Sequence, residues 1–114
     1  MDETVFSRII RREVPADVVY EDDLCMAFRD IHPCAPVHLL IIPKEAVPGI
    51  QDVDAEQREL LGHLLVVARR VAEQLGVGAS GYRCVINVGP DGGQEVPHLH
   101  IHLVGGRRLG WPPG

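Results

Sequence analysis

The hydrophobic pattern changes period several times along the chain, and each change marks an element. Residues 4 to 12 carry Val5, Phe6, Ile9 and Ile10 on one side of a helical projection, so a short amphipathic helix is expected there, with Pro15 ending it. Val18-Val19-Tyr20 reads as a short strand, and Glu21-Asp22-Asp23 as a turn. Residues 24 to 29 alternate between a Leu24/Met26/Phe28 face and a Cys25/Ala27/Arg29 face, which predicts a second strand. Asp30 to Pro36 contains two prolines and reads as a loop. Val37 to Ile42 is apolar apart from His38; it suits a central strand closed by Pro43.

A longer period follows. Asp54-Ala55-Glu56-Gln57 has an N-cap residue with a Gln at the capping-box position. Leu60, Leu61, Leu64, Val67, Ala68, Val71, Ala72 and Leu75 keep helical spacing, and Gly76 stands where a C′ glycine belongs. The spacing predicts a helix over residues 54–75, with Arg58, Arg69, Arg70 and Glu73 on its solvated face. Tyr82 to Val88 is a further strand, and Gly89-Pro90-Asp91-Gly92-Gly93 a tight turn. After it comes His98-Leu99-His100-Ile101-His102, with a histidine at every second position. Strand alternation puts these imidazoles in one row and turns Leu99, Ile101 and Leu103 towards a core, whereas a helix would scatter them. Helix, three strands, long helix and two strands, joined mostly by short connections, predict an α+β fold with a mainly antiparallel sheet of five strands.

Composition narrows the picture only a little. The 114 residues suit one domain spanning 1–114, and 46% hydrophobic with 24% charged content is ordinary for a soluble protein. A formal charge of −5 disfavours nucleic acid and anionic membrane as partners. The cysteines, Cys25, Cys34 and Cys84, form no CxxC pair, and the apolar runs around Cys25 and Cys84 predict buried thiols. The acidic start Met1-Asp2-Glu3 leads into no apolar segment, and no run reaches membrane-spanning length, so a cytoplasmic location is expected.

Three chemistries suit a row of imidazoles: metal binding, general acid–base catalysis, and nucleophilic attack by one ring with its neighbours assisting. The surroundings discriminate. No carboxylate in the sequence identifies itself as a supporting metal ligand, while the turn before the row offers backbone N–H groups that a phosphoryl group can approach. By itself the turn is a weak signal, since most such turns only connect strands.

The segment His98-Leu-His-Ile-His102-Leu103-Val104 resembles the histidine-triad motif. Gly105-Gly106-Arg107 and Trp111-Pro-Pro-Gly114 resemble the branch of histidine-triad (HIT) nucleotide-binding proteins that hydrolyse purine nucleoside phosphoramidates. Phe28-Arg-Asp-Ile31, Pro36-Val-His38, Ile42-Pro-Lys44, Leu61-Gly-His63, Gly81-Tyr82-Arg83, Val85-Ile-Asn87 and Asp91-Gly-Gly-Gln94 extend the likeness over nearly the whole chain.

The resemblance implies a HIT-like fold and hydrolysis of purine nucleoside 5′-phosphoramidates through a nucleotidyl-histidine intermediate. By the same likeness His100 is the nucleophile, His98 orients it, His102 contacts the phosphate or leaving group, and His38 completes the cluster. Asp30 would accept from the ribose hydroxyls with Ile31 beside the sugar or base, and Asn87, Gly93, Gln94 and Glu95 would line the phosphate side. A homodimer is implied, with the Trp111 tail near the partner's site, and no cofactor. Without the likeness, Asp30 reads as a loop residue capping its own turn and His38 as a hydrogen-bonded core histidine; His32 and His63 stay an ordinary loop and helix residue. Two departures stand out. Thr4 and Ser7 occupy positions where many relatives carry a zinc-binding CxxC, so no structural zinc is expected. Glu95 replaces a small hydroxyl residue of some members, and a carboxylate repels phosphate unless it points away or meets a cationic amine. The alternatives are a nucleotide-binding adaptor, a dinucleotide polyphosphate hydrolase, or a metal-binding module.

Overall fold

A computed structural model describes residues 3–114; Met1 and Asp2, part of the acidic start, lie outside the described residues. The elements run α1 (Val5–Ile10), β1 (Val18–Glu21), β2 (Cys25–Arg29), β3 (Val37–Pro43), α2 (Arg58–Gln74), β4 (Tyr82–Val85) and β5 (Ile101–Gly105), with 3-10 turns at Ile50–Asp52 and Ala55–Gln57. One five-stranded sheet in the order β1-β2-β3-β5-β4 contains only antiparallel pairs, so the expected α+β architecture holds.

Each face of the sheet carries its own apolar layer. Cys25, Ala27, Leu39, Ile41, Leu99, Ile101 and Leu103 pack with Leu64, Val67, Ala68, Val71 and Ala72 of α2. The alternate positions Met26, Phe28, Leu40 and Ile42 pack on the other face with Phe6 and Ile9 of α1. Burial on both faces explains why β2 and β3 read as nearly continuous apolar runs. Because α1 spans only 6 residues, it covers part of its face and leaves the remainder open as a cleft.

Several boundaries differ from the sequence expectation. Residues 54–75 split: Asp54 caps a 3-10 turn, sharing a capping box with Gln57, before the α-helix begins at Arg58. Gly76 adopts a φ of 80°, as a C′ glycine should. The first helix stops at Ile10 instead of Arg12, which itself takes a left-handed φ of 65°. β4 ends at Val85 instead of Val88. Cys84, expected to be buried, is exposed because β4 is an edge strand.

The largest difference concerns the histidine row. Only Ile101 and His102 of the segment 98–102 join the ladder: the pairing with β3 stops at Ile41↔Ile101, and Pro43, the last residue of β3, has no N–H to extend it. Beyond it the chain is held otherwise: Leu99 N–H donates to the Val47 carbonyl at 2.7 Å, and His98 Nε2–H donates to the Pro43 carbonyl at 2.8 Å. The alternation survives this loss of ladder. Leu99, Ile101 and Leu103 still enter the α2 core, while the Phe6 ring on the opposite face lies 6.0 Å from the His98 ring and 5.1 Å from the His100 ring.

Candidate active site

On the α1 side of the sheet a cleft of about 340 Å³ opens over the histidines, a size that suits a small-molecule ligand. His100 and His102 lie in its floor, with Asp30, Ile31, Asn87, Gly93 and Glu95 also in its lining. Seven of the expected site residues therefore meet in one cleft. Its apolar half, made by Phe6, Ile9, Val14, Pro15, Ala16 and Val96, was not foreseen as site. Nothing local in the sequence distinguishes those residues from ordinary core or loop positions.

Hydrogen bonds determine which ring nitrogens carry protons. His100 Nδ1 lies 2.7 Å from the His98 carbonyl oxygen. A carbonyl only accepts, so Nδ1 carries the proton and the neutral ring keeps its lone pair on Nε2. His98 thus meets its expected partner through its main chain, while its own imidazole, 3% exposed, is tied to Pro43. Burial, which disfavours the charged ring, holds the His98 pKa below the ordinary histidine value; the Pro43 carbonyl opposes the shift.

A second chain of bonds sets His102. Cys34 N–H donates to His38 Nδ1 at 3.1 Å, so neutral His38 carries its proton on Nε2. That Nε2 lies 3.0 Å from His102 Nδ1 and 3.4 Å from Asp30 Oδ2. Donation from His38 to His102 Nδ1 leaves His102 with a proton on Nε2. Burial, reinforced by the neighbouring His100 and His38, pushes the His102 pKa down to about 4, so this ring is a neutral donor at pH 7. The His100 and His102 ring centroids are 5.1 Å apart. One ring thus offers a lone pair and its neighbour an N–H.

Asp30 serves its own loop as well as the cleft: Oδ1 accepts from His32 N–H at 2.8 Å, while the carboxylate also borders the cavity. Ile31 is 83% exposed at the rim, where an apolar side chain can lie against a planar ligand. Gln94, expected on the phosphate side, turns away. Its amide donates to the Pro48 carbonyl at 2.8 Å and accepts from Gly89 N–H at 3.2 Å, clipping the turn to a distant loop. The N–H groups of Gly93 and Gln94 are also spent inside the turn, on the carbonyls of Pro90 and Gly89. The Glu95 N–H takes no part in that bonding.

Among the described residues, two groups of side chains have metal-ligand spacing, Asp30/His38/His102 and Asp22/Cys25/His63. In the first, a cation on His38 Nε2 would force the ring proton onto Nδ1, against the Cys34 N–H donor. In the second, Asp22 already accepts from His63, Tyr20 and two backbone N–H groups, so its lone pairs are committed to protein donors. Neither donor set fits a metal. Asp22 instead ties the β1–β2 turn to α2 through His63 Nε2 at 2.6 Å, a contact with no sequence signal.

Comparison with known proteins agrees with this geometry. The HIT domain family model matches residues 11–109. An uncharacterized HIT-like protein of Synechococcus elongatus is 59% identical over 99% of this chain and 98% of its own length. A purine nucleoside phosphoramidase of Escherichia coli K12 is 55% identical over 96% of this chain and 92% of its own. The crystal structure of a HIT family hydrolase from Legionella pneumophila superposes with a TM-score of 0.96 at 50% identity, covering 98% of this chain and all of that one.

Proposed function

The chain belongs to the HIT domain family, and from that premise we propose that it hydrolyses the P–N bond of purine nucleoside 5′-phosphoramidates. One observation carries the reading beyond family membership. His100 donates through Nδ1 to a carbonyl, which leaves its Nε2 lone pair available in the cleft.

In the first step His100 Nε2 bonds to the α-phosphorus as the bond from phosphorus to the amine breaks. The leaving nitrogen needs a proton, which water reaching the open cleft supplies; neutral His102, kept in one tautomer by His38, keeps its own proton and donates a hydrogen bond through Nε2–H to the phosphoryl or leaving group. Water then bonds to phosphorus as the P–Nε2 bond breaks, which releases the nucleoside monophosphate, regenerates neutral His100 and returns one proton to solvent. His98 acts as a positioning residue through its carbonyl, and His38 as one through its ring.

Nucleotide binding is assigned along the cleft. The apolar half with Ile31 receives the base, the Asp30 carboxylate accepts from ribose hydroxyls, and Asn87, Gly93 and the Glu95 N–H border the phosphate. Gln94 contributes by bracing the turn. We further propose a cytoplasmic homodimer. The free edge of β4 and the exposed Leu65 and Val66 of α2 support joining two sheets edge to edge. No helix among the described residues is long and apolar enough to cross a membrane.

The test is a turnover assay with an adenosine phosphoramidate, alongside a diadenosine polyphosphate. His100→Ala should abolish turnover while adenosine monophosphate still binds. Near-normal activity in that variant would remove the nucleophile assignment. Binding without turnover by the unaltered protein would favour a nucleotide-binding adaptor, and faster cleavage of the polyphosphate a dinucleotide hydrolase.

A further inference from the structure

The charge lining the cleft is unusual for a pocket that receives phosphate. Two carboxylates, Asp30 and Glu95, border it, and Arg29 is the one Lys or Arg side chain in its lining. Arg29 is already engaged, its Nε 3.1 Å from Asp17 Oδ2. Glu95 pairs with no basic side chain among the described residues. The lining thus offers an anionic phosphoryl group no free arginine or lysine, and it adds an unneutralised acidic residue, Glu95, to the cleft that holds the reacting histidine.

Asp30 differs from Glu95 in having occupation: its oxygens receive His32 N–H and face His38. Glu95 is exposed, follows the Gly89–Gly93 turn, and shares the cleft with Asn87, Gly93 and His100. An unpaired carboxylate there lowers affinity for any substrate that brings only negative charge. It becomes favourable when the substrate carries its own cation on the side of the scissile bond away from the nucleoside.

We propose that Glu95 selects phosphoramidates whose amine portion bears a second, positively charged nitrogen. The inference rests on the phosphoramidase reading and names the leaving group within it. Ion pairing at a solvated rim is modest, so the expected preference for a cationic over a neutral amine of the same shape is about fivefold in kcat/KM. Being electrostatic and solvated, the preference shrinks when ionic strength rises from about 0.05 M to about 0.5 M.

Three adenosine phosphoramidates test this: one of 1,4-diaminobutane, with a terminal ammonium; one of n-pentylamine, with a methyl in its place; one of 5-aminopentanoate, with a carboxylate. The unaltered protein should rank them in that order, and Glu95→Gln should bring the cationic-to-neutral ratio close to one. Glu95→Lys, a charge reversal at an exposed position, should put the carboxylate substrate first. A cationic-to-neutral ratio that is the same in all three proteins overturns the inference and leaves the phosphoramidase reading intact. Turnover of none of the three by the unaltered protein overturns both.

Discussion

Acid should destabilise this protein through His102, and the size of the effect follows from its surroundings. Burial first, then the neighbouring His100 and His38, lower its pKa from 6.5 to about 4. Between those values the unfolded chain holds a proton on this ring and the folded chain does not. Stability therefore rises with pH across the window and is lost as pH falls from about 6.5 towards 4. At about 1.36 kcal/mol per pH unit the full gap amounts to about 3 kcal/mol. His102 borders the cleft and keeps some contact with water, which reduces the figure to about 2 kcal/mol. Urea denaturation of the unaltered protein and His102→Asn, at about pH 7.5 and about pH 4.5, isolates the term. His98 has a lowered pKa as well, but it is present in both proteins and cancels in the difference. The unaltered protein should lose about 2 kcal/mol more than the variant. Equal losses would refute the reasoning, and with it the claim that His102 is a neutral N–H donor at pH 7.

Two further substitutions probe how the site is positioned. His38→Phe keeps a ring of similar bulk but removes the donor to His102 Nδ1 and the acceptor for Cys34 N–H. By analogy with other histidines that lose their orienting group, kcat should fall by about 10- to 100-fold with KM changed less than about threefold; an unaltered kcat would exclude a positioning role for the His38–His102 hydrogen bond. Gln94→Ala deletes the bonds to Pro48, Val96 and Gly89 and should cost about 1–2 kcal/mol in chemical denaturation, together with faster amide exchange around residues 89–95. Unchanged exchange there would show that the turn holds itself.

The period of the hydrophobic pattern was enough to place both α-helices and the five strands, most clearly at β2 and β3, which are buried on both faces. Apolar runs at Cys25–Arg29 and Val37–Pro43 leave few alternatives to central strands, and the α2 stripe has one place to pack. The same alternation separated Leu99, Ile101 and Leu103 from His98, His100 and His102. Boundaries were less legible. Where β5 begins depends on where its pairing with β3 stops, at Ile41↔Ile101, and nothing among the histidines records that.

What the sequence by itself determined is the row: three imidazoles on one side, an aliphatic set on the other, and a turn before them. A strand's two-residue period is a local property, so local residues suffice to specify it. Only the tertiary structure decided what each imidazole does. The lone pair on His100 Nε2 follows from a carbonyl two residues back, and the proton on His102 Nε2 from a ring 64 residues away that a loop N–H orients. Tautomer, burial and cleft are set by groups brought together from distant parts of the chain, and no local pattern encodes them. The charge at Glu95 belongs to both levels. Its identity is written in the chain, but its lack of a cationic partner in the cleft emerges only on folding.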